Sequence, residues 1–249
     1  MKKIRIVCSW LLMAAMSSCN NNKSNLAPAA AKILADSSTT TVVEQPMQLP
    51  AKDPAAFVPE GHALFEKVSG DLNKDGLQDL VLIIKGTDSS KIINHEYRGR
   101  LDRNRRGLLV LFNKNDGYET AAKNYECFSS ENEEGGVYYA PELSVEVKNS
   151  NLIIHYGHGR YGYWSYTLKY KDADFELIGY DATSSTGPVI NSETSINFLT
   201  RKMQVKKNTN ENAESGGEVF KETWKTISIK ALIKLSDIKD FDELDMHSW

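Results

Sequence analysis

The pattern of apolar and polar residues between positions 143 and 180 predicts four consecutive β-strands. Apolar side chains occupy every second position of residues 143–147, as expected for a strand with one buried face. Turns rich in Asn, Gly or Asp separate the segments that follow. The predicted strands span residues 143–147, 152–156, 163–170 and 175–180. Because the turns are short, neighbouring strands are expected to pair antiparallel as a meander.

Two further segments are apolar almost without interruption. Residues 80–84 and 107–112 consist of Leu, Val, Ile and Phe, apart from one Gly at the start of the second segment, which is typical of short buried strands. The Asp116-Gly117 pair then predicts a hairpin turn. Less regular alternation predicts additional strands. They span residues 64–68, 118–120, 192–200, 202–205 and 219–229.

Together these patterns predict a mostly β fold, with a single antiparallel β-meander domain that is sandwich-like or propeller-fragment-like and ends in a short C-terminal helix. The helix, or a turn in its place, is expected at residues 236–241, where Ser236 provides an N-cap. About 190 residues are available for the domain, which is enough for one sizeable core. A complete propeller is disfavoured, because blades of about 40–45 residues would fit at most about four times.

One stretch, residues 71–79, has a spacing that indicates a chemistry. It reads D-x-N-x-D-G-x-x-D, and alternate residues of a tightly curled loop point their oxygen atoms to one centre. Ca²⁺ binds about 6–8 oxygen atoms at roughly 2.3–2.6 Å. The expected donors are the side chains of Asp71, Asn73, Asp75 and Asp79 and the backbone carbonyl of Leu77. Gly76 would supply the sharp turn. The alternative is a polar β-turn without a metal ion.

The stretch resembles the calcium loop of integrin-α-type FG-GAP or VCBS repeats, in which D-x-[DN]-x-D-G-x-x-D joins two antiparallel strands of a propeller blade. The resemblance covers only residues 63–85, and it implies a structural Ca²⁺ site on the five residues just named. A helix–loop–helix EF-hand is not expected. Its twelfth position is Leu82 rather than Glu, and the residues that follow the loop predict a strand instead of a helix.

The first 18 residues resemble a bacterial signal peptide. Residues 1–5 include three basic residues, Lys2, Lys3 and Arg5. Residues 6–16 form an apolar segment too short to span a bilayer. Small residues before Cys19 resemble a lipobox, which implies cleavage before Cys19 and attachment of lipid to it. The alternative is an ordinary signal peptide, in which Cys19 has no role. Asn20 after the cysteine resembles the pattern of lipoproteins sent to the outer membrane, so an outer-membrane location on the periplasmic or surface face is expected.

Residues 19–58 are rich in Asn, Ala, Ser, Thr and Pro, which indicates a flexible tether because few large apolar groups are available for burial. The chain is therefore expected to hold a signal peptide at 1–18, a lipidated tether at 19–58 and one β-rich domain at 59–249. We expect a monomer attached to the membrane through its lipid anchor.

Charge and cysteine content agree with export. Residues 1–18 hold three basic residues and no acidic one, so their removal leaves 27 basic and 33 acidic residues and a net charge of −6. Nucleic acid is therefore not an expected partner. Only Cys19 and Cys127 remain after cleavage, and a lipid on Cys19 would leave Cys127 alone, so no disulfide framework is expected within one mature chain.

Two segments are candidate binding surfaces. Residues 86–106 predict a polar loop that contains Arg98, Arg100 and Arg103, whose guanidinium groups suit anions; a solvated loop that balances nearby acidic residues is the alternative. The glycine-rich turn near residues 157–164 concentrates side chains that could stack on a sugar or a peptide. These are His158, Arg160, Tyr161 and Trp164. Cross-strand aromatic packing is the ordinary explanation for them.

Three functions are consistent with this sequence. The first is a binding or interaction module on the cell envelope, with an unknown protein or glycan as its ligand, and it is favoured because FG-GAP-like modules usually bind rather than catalyse. The second is a hydrolase that acts on an envelope or extracellular polymer. Enzyme activity is disfavoured because the sequence has no nucleophile elbow, zinc motif or Cys-His signature. The third is a structural or immunity-like lipoprotein that acts through one protein partner.

Overall fold

The computed structural model describes residues 52–135 and 138–246, which belong to the unit Met47–Trp249. The predicted signal peptide, Cys19 and most of the predicted tether lie outside the described residues. Fifteen strands form within the described ranges. They are β1 His62–Gly70, β2 Asp79–Gly86, β3 Ile92–His95, β4 Gly99–Asp102, β5 Arg106–Asn113, β6 Tyr118–Phe128, β7 Glu134–Gly135, β8 Tyr138–Tyr139, β9 Glu142–Lys148, β10 Asn151–Gly157, β11 Gly162–Lys171, β12 Asp174–Thr186, β13 Val189–Asn197, β14 Lys202–Asn208 and β15 Phe220–Thr226. Short 3₁₀ turns lie at Pro54–Phe57, Ser89–Lys91, Gly159–Tyr161 and Leu235–Asp237.

The strands pair antiparallel, which confirms the predicted fold class. A four-stranded sheet has the order β1-β2-β5-β6, and a seven-stranded sheet has the order β15-β14-β13-β12-β11-β10-β9. Two small hairpins, β3-β4 and β7-β8, complete the pairing. The seven-stranded sheet is the predicted meander, because each of its strands pairs with its neighbour in sequence. Strand β12 runs six residues beyond the predicted end, because its second half pairs with β13 from Gly179 to Thr186.

The main apolar core lies between the two large sheets, which makes the fold sandwich-like. The four-stranded sheet contributes Val81, Ile83, Leu108 and Val110, and the seven-stranded sheet contributes Leu152, Ile154, Tyr166 and Leu168. The sheets approach closely where β1 passes β9. A Cβ atom at Gly70 would lie only 2.4 Å from Cγ1 of Val147, so the absence of a side chain at Gly70 permits this approach. The loop that begins at Asp71 is thereby held against the core.

A second apolar layer covers the other face of the four-stranded sheet. It consists of Leu80, Leu82, Ile84, Leu109 and Leu111, with the partly buried Phe57, Val58, Tyr118 and Tyr125 against them. Alternate residues of β2 and β5 therefore enter two different apolar layers. This explains why both segments are apolar throughout rather than at every second position.

The predicted C-terminal helix is replaced by the 3₁₀ turn Leu235–Asp237. The amide nitrogen of Asn124 donates hydrogen bonds to the carbonyl oxygens of Leu235 at 2.7 Å and Ile238 at 2.6 Å. The Leu235 carbonyl also accepts from Ile238 N at 3.2 Å, which closes the single 3₁₀ turn. The Asn124 side chain thus ties this turn to β6. Residues 234–241, which we call the C-terminal strap, are thus fixed to the four-stranded sheet and contain one tight turn.

The predicted polar loop at residues 86–106 contains the β3-β4 hairpin. Its strands pair from Ile92 with Asp102 to His95 with Gly99. Only Leu101 is a buried apolar side chain in this hairpin. The apolar pattern is therefore too sparse to reveal the two strands from the sequence.

We expect Tyr156→Phe to raise the free energy of unfolding by about 1 kcal/mol, because a buried hydroxyl without a partner is unfavourable. Tyr156 is fully buried, and its hydroxyl has no hydrogen-bond partner among the described residues. The matched control is Tyr166→Phe, which removes a 2.7 Å hydrogen bond to the Phe241 carbonyl and should lower stability. Chemical denaturation of the three proteins checks this, and a Tyr156→Phe variant less stable than the parent would contradict it.

Candidate functional site

The loop between β1 and β2 has the tightly curled backbone that its sequence predicts. Lys74 and Gly76 adopt positive φ angles of 67° and 86°. A Cβ atom at Gly76 would meet nothing within 4 Å, so the backbone conformation rather than crowding favours glycine there. The curl directs several backbone N–H groups towards the loop's own side chains.

Asp71, Asn73 and Asp75 accept these N–H groups. The two carboxylate oxygens of Asp71 accept from Lys74 N at 2.6 Å and from Gly76 N at 3.1 Å. Asn73 Oδ1 accepts from Asp75 N at 3.0 Å, and Asp75 Oδ1 accepts from Leu77 N at 2.8 Å. The Leu77 hydrogen bond, followed by one from the Asn73 side chain, lowers the pKa of Asp75. Asp75 is therefore a carboxylate at neutral pH.

Asp79 has a different position from the other loop carboxylates, because it is fully buried. Its oxygens accept from Leu72 N at 2.8 Å and from Asn113 N at 3.0 Å. Burial raises the pKa of Asp79 in spite of these two N–H donors, and the nearby charge of Asp75 raises it further. Asp79 thus ties the start of the loop to the end of β5, a structural role that the spacing alone did not reveal.

The chemistry of the loop donors fits a hard cation, although the carboxylates are not yet gathered around one point. Among the described residues, no group of three or more His, Cys, Asp or Glu side chains is placed to hold a metal ion. The five-donor set, however, includes the Asn73 amide and the Leu77 carbonyl as well as three carboxylates. Each carboxylate oxygen that accepts one N–H also keeps a second lone pair. These oxygen atoms therefore keep the capacity to bind a cation.

The three arginines of the predicted anion-binding surface lie in different local environments. Arg98 donates from Nη1 to the Glu133 carbonyl at 3.5 Å. Arg100 is exposed on β4, and Arg103 follows β4, where its backbone N–H donates to the Lys91 carbonyl at 2.9 Å. The three residues that the sequence groups together therefore differ in exposure and in contacts.

The next two arginines hold loops in place. Arg105 donates from Nε and Nη2 to the Glu126 carbonyl, at 3.0 and 2.8 Å, and forms a 2.6 Å ion pair with Asp240. Arg106 is buried, and its Nε donates to the Ser129 carbonyl at 3.0 Å. Their forked guanidinium groups join β6 and the C-terminal strap to β5.

An ion-pair cluster fixes the β3-β4 hairpin to β2. Lys85 Nζ lies 2.9 Å from Asp102 and 2.8 Å from Glu131. Partial burial acts to raise the pKa of Asp102, but hydrogen bonds from Asn104 and the charge of Lys85 outweigh it and lower the pKa to about 2. Lys85 therefore forms ion pairs with both Asp102 and Glu131.

A pocket of about 350 Å³ lies at the turn between β10 and β11, where the sequence predicts a binding surface. It is lined by Ala140, Glu142, Gly157, His158, Gly159, Arg160 and Tyr161. The turn is compact because Gly162 has a φ of 112° and a Cβ atom there would lie 2.1 Å from the Thr183 carbonyl oxygen. The His158 ring lies against Tyr161 with a centroid separation of 5.4 Å. We call this pocket the turn pocket.

Trp164, the fourth predicted member of this surface, does not line the turn pocket, although its ring meets that of His158 edge-on at a centroid separation of 6.3 Å. Its ring stacks on Tyr156 with a centroid separation of 5.6 Å and an interplanar angle of 16°, and it packs against the main core. Its neighbour Tyr163 lies instead on the face that continues the turn pocket, where it contacts His155 at 5.1 Å. The period of two along a strand is the signal that separates Tyr163 from Trp164.

No protein-family model, curated protein or solved structure matches this chain. None of the helical turns in the described part of the chain is long and apolar enough to cross a membrane.

Proposed function

We propose that this protein is a lipid-anchored protein of the bacterial envelope whose β domain binds a ligand in the turn pocket, with Ca²⁺ as a structural ion in the loop at 71–79. The observation that carries the binding function is the turn pocket itself. It gathers three of the residues that the sequence nominates, His158, Arg160 and Tyr161, around one concave site. Its volume of about 350 Å³ lies within the range of about 300–1,000 Å³ found for small-ligand pockets.

The proposed location rests on the sequence. A basic start, a short apolar segment and small residues before Cys19 support cleavage and lipid attachment at that cysteine. The lipid would hold the β domain at the outer membrane, on its periplasmic or surface face. Envelope polymers and surface proteins would then be at high local concentration near the turn pocket.

The proposed calcium ligands are the side-chain oxygens of Asp71, Asn73, Asp75 and Asp79 and the Leu77 carbonyl. The bound cation would neutralise the buried Asp79, whose pKa is raised by burial, and the ionised Asp75. Because β1 and β2 meet at this loop, these residues would fix the hairpin at the edge of the main core. Ca²⁺ therefore acts on stability, and the turn pocket acts on recognition.

The turn pocket offers complementary groups to a small polar ligand. Glu142 supplies hydrogen-bond acceptors, Arg160 supplies several donors in a planar fork, and Tyr161 supplies a ring face with a polar hydroxyl. Arg160 is exposed at the pocket rim, whereas Tyr161 is half-buried. A sugar, or the side chain of a protein loop, presents both hydroxyl groups and apolar C–H faces to such a site.

The double variant Arg160→Ala/Tyr161→Ala is expected to lose ligand binding. Saturation-transfer NMR of the full chain in detergent, with a panel of mono- and disaccharides and dipeptides, measures this. At least one panel member should receive saturation from the parent protein and not from the variant. The matched control is Tyr97→Ala/Arg100→Ala, which removes the same residue types from the exposed β3-β4 hairpin and should leave binding unchanged. Absence of transfer to every panel member, or equal transfer from both variants, would contradict the proposal.

A further inference from the structure

The outer face of the seven-stranded sheet continues from the turn pocket towards β15. Strand register places Tyr163 beside Thr183, Thr183 beside Glu193 and Glu193 beside Lys206. The next row on the same face runs from Asp181 through Ser195 and Gln204 to Trp224. A shallow groove of about 280 Å³ follows these rows, and its lining includes Tyr163, Asp181, Glu193, Gln204 and Lys206. We call this surface the outer-face groove.

Aromatic side chains flank the groove at both ends. Tyr163 stands on β11, between the outer-face groove and the turn pocket, because its strand neighbour Gly157 lines the latter. Trp224 stands on the edge strand β15 with 61% of its surface exposed. Four strand spacings separate β11 from β15, which corresponds to about 19 Å at about 4.8 Å per spacing.

The ring of Trp224 is held in place although it is exposed. Its indole N–H donates to the Glu222 carboxylate. This hydrogen bond, followed by one from the Gln204 side chain, lowers the pKa of Glu222. Trp224 pairs in register with Gln204, which lines the groove. Because its N–H is already engaged, the exposed indole would lose little further side-chain entropy on binding a ligand.

Small and polar side chains fill the space between the aromatic residues. Lys206 Nζ lies 3.1 Å from the Glu193 carboxylate, so donors and acceptors alternate along the row. Asp181 and Glu193 offer carboxylate acceptors, and Gln204 offers both an acceptor and two donors. Adjacent hydroxyl groups of a sugar are matched by such alternation, while the C–H face of a sugar ring packs on an aromatic ring.

We propose that an uncharged oligosaccharide lies across the strands of the outer-face groove, from the turn pocket over Tyr163 to Trp224. The inference rests on the proposed binding function of the turn pocket and extends it to a chain of sugars. Three carboxylates, those of Asp181, Glu193 and Glu222, lie on this face. They outnumber its two ammonium groups, that of Lys206 and that of Lys202 one row further along, so the surface disfavours anionic polymers. A basic peptide is the competing occupant, and it lacks the hydroxyl pairs that the alternating row would recognise.

The test measures how affinity depends on the length of the sugar chain. The full chain in detergent is titrated calorimetrically with oligosaccharides of two to six glucose, mannose, xylose or N-acetylglucosamine units, and with tetralysine as the peptide probe. For the sugar type that binds, affinity should rise at least about tenfold from the dimer to the hexamer. Trp224→Ala should lower the affinity for the hexamer about tenfold, as expected for an aromatic contact that dominates its interface. It should leave the affinity for the dimer unchanged.

Tyr97→Ala is the matched control, because Tyr97 is an exposed aromatic residue of the β3-β4 hairpin. This hairpin does not pair with any strand of the seven-stranded sheet. Its hexamer affinity should equal that of the parent. An equal affinity for dimer and hexamer, or no effect of Trp224→Ala, would overturn the extended groove while the turn pocket stands. Binding of tetralysine in preference to every sugar would also overturn it. If no sugar of any length binds, the extension fails, and the proposed function is then decided by the saturation-transfer experiment, whose panel also contains dipeptides.

Discussion

Phe241→Ala is expected to lower the free energy of unfolding by about 3–5 kcal/mol, the range for truncation of a buried aromatic side chain. Phe241 is fully buried although it lies beyond the last strand. Its ring stacks on Phe128 of β6 at 5.4 Å and contacts Tyr166 of β11 at 5.1 Å. One side chain of the C-terminal strap thus joins the two sheets.

Backbone contacts reinforce this position. Phe241 N donates to the Cys127 carbonyl at 3.0 Å, and its carbonyl accepts from the Tyr166 hydroxyl at 2.7 Å. Because the surroundings are fixed from both sides, they cannot collapse fully into the space left by alanine. Phe220→Ala is the matched control, since Phe220 is 38% exposed, and its loss should be below about 1 kcal/mol. Denaturant unfolding followed by circular dichroism measures both, and equal losses would contradict the role of the strap.

Saturation with Ca²⁺ is expected to raise the melting temperature by about 5–10 °C. A ligand that binds only the folded state contributes about 2.7 kcal/mol at a hundredfold excess over its Kd, and 1 kcal/mol corresponds to about 2–4 °C for a domain of this size. EDTA should reverse the shift. Mg²⁺ should give a smaller one, because it requires stricter octahedral geometry and retains its water.

Removal of two loop carboxylates should abolish the calcium shift. Asp71→Asn/Asp75→Asn keeps the size of both side chains and one acceptor on each, but it removes two negative charges. The control is Asp116→Asn/Asp172→Asn, which changes two exposed aspartates in other hairpin turns. Thermal melts in Ca²⁺ and in EDTA should show a shift in the parent and the control only. A shift retained by the loop variant would place the ion elsewhere.

The calcium shift should also shrink as the pH falls from neutral. Asp79 has a raised pKa in the folded protein, so its ionised form destabilises the calcium-free fold above that pKa, and protonation on acidification removes this penalty. Ca²⁺ competes with the same protons for the loop carboxylates. Melts across an acidic series should therefore converge in Ca²⁺ and EDTA, and a constant difference would contradict the assignment of Asp79 as a ligand.

Much of the fold could be predicted because its strands are local neighbours. In β9 to β11 the predicted ends lie within one residue of the observed ones, since apolar alternation and short turns act on adjacent segments. The uninterrupted apolar runs of β2 and β5 likewise indicated buried strands. Segments held by contacts with residues distant in sequence were harder to predict. The strap around Phe241 is held by hydrogen bonds from the side chains of Asn124 and Tyr166. No local sequence pattern predicts those partners.

The candidate site was likewise predictable only where its residues are close in sequence. His158, Arg160 and Tyr161 are close in sequence, and they line one pocket. Trp224 is far from them along the chain, and its place at the end of the outer-face groove follows only from the register of β12 to β15. The spacing of Asp71 to Asp79 predicts oxygen donors for a cation, but it could not show that Asp79 is buried and accepts a hydrogen bond from Asn113 N.

Attachment to the envelope is the claim on which location, anchor and access to a sugar polymer all depend. The most direct test is the intact mass and N-terminal peptide mass of the full chain, recovered from the membrane fraction of a bacterial host, beside a Cys19→Ala variant. We expect a mature chain that begins at Cys19 and carries acyl chains on it, and a variant that is neither cleaved there nor acylated. A parent protein with unmodified Cys19, or one cleaved at another position, would contradict lipid attachment at Cys19.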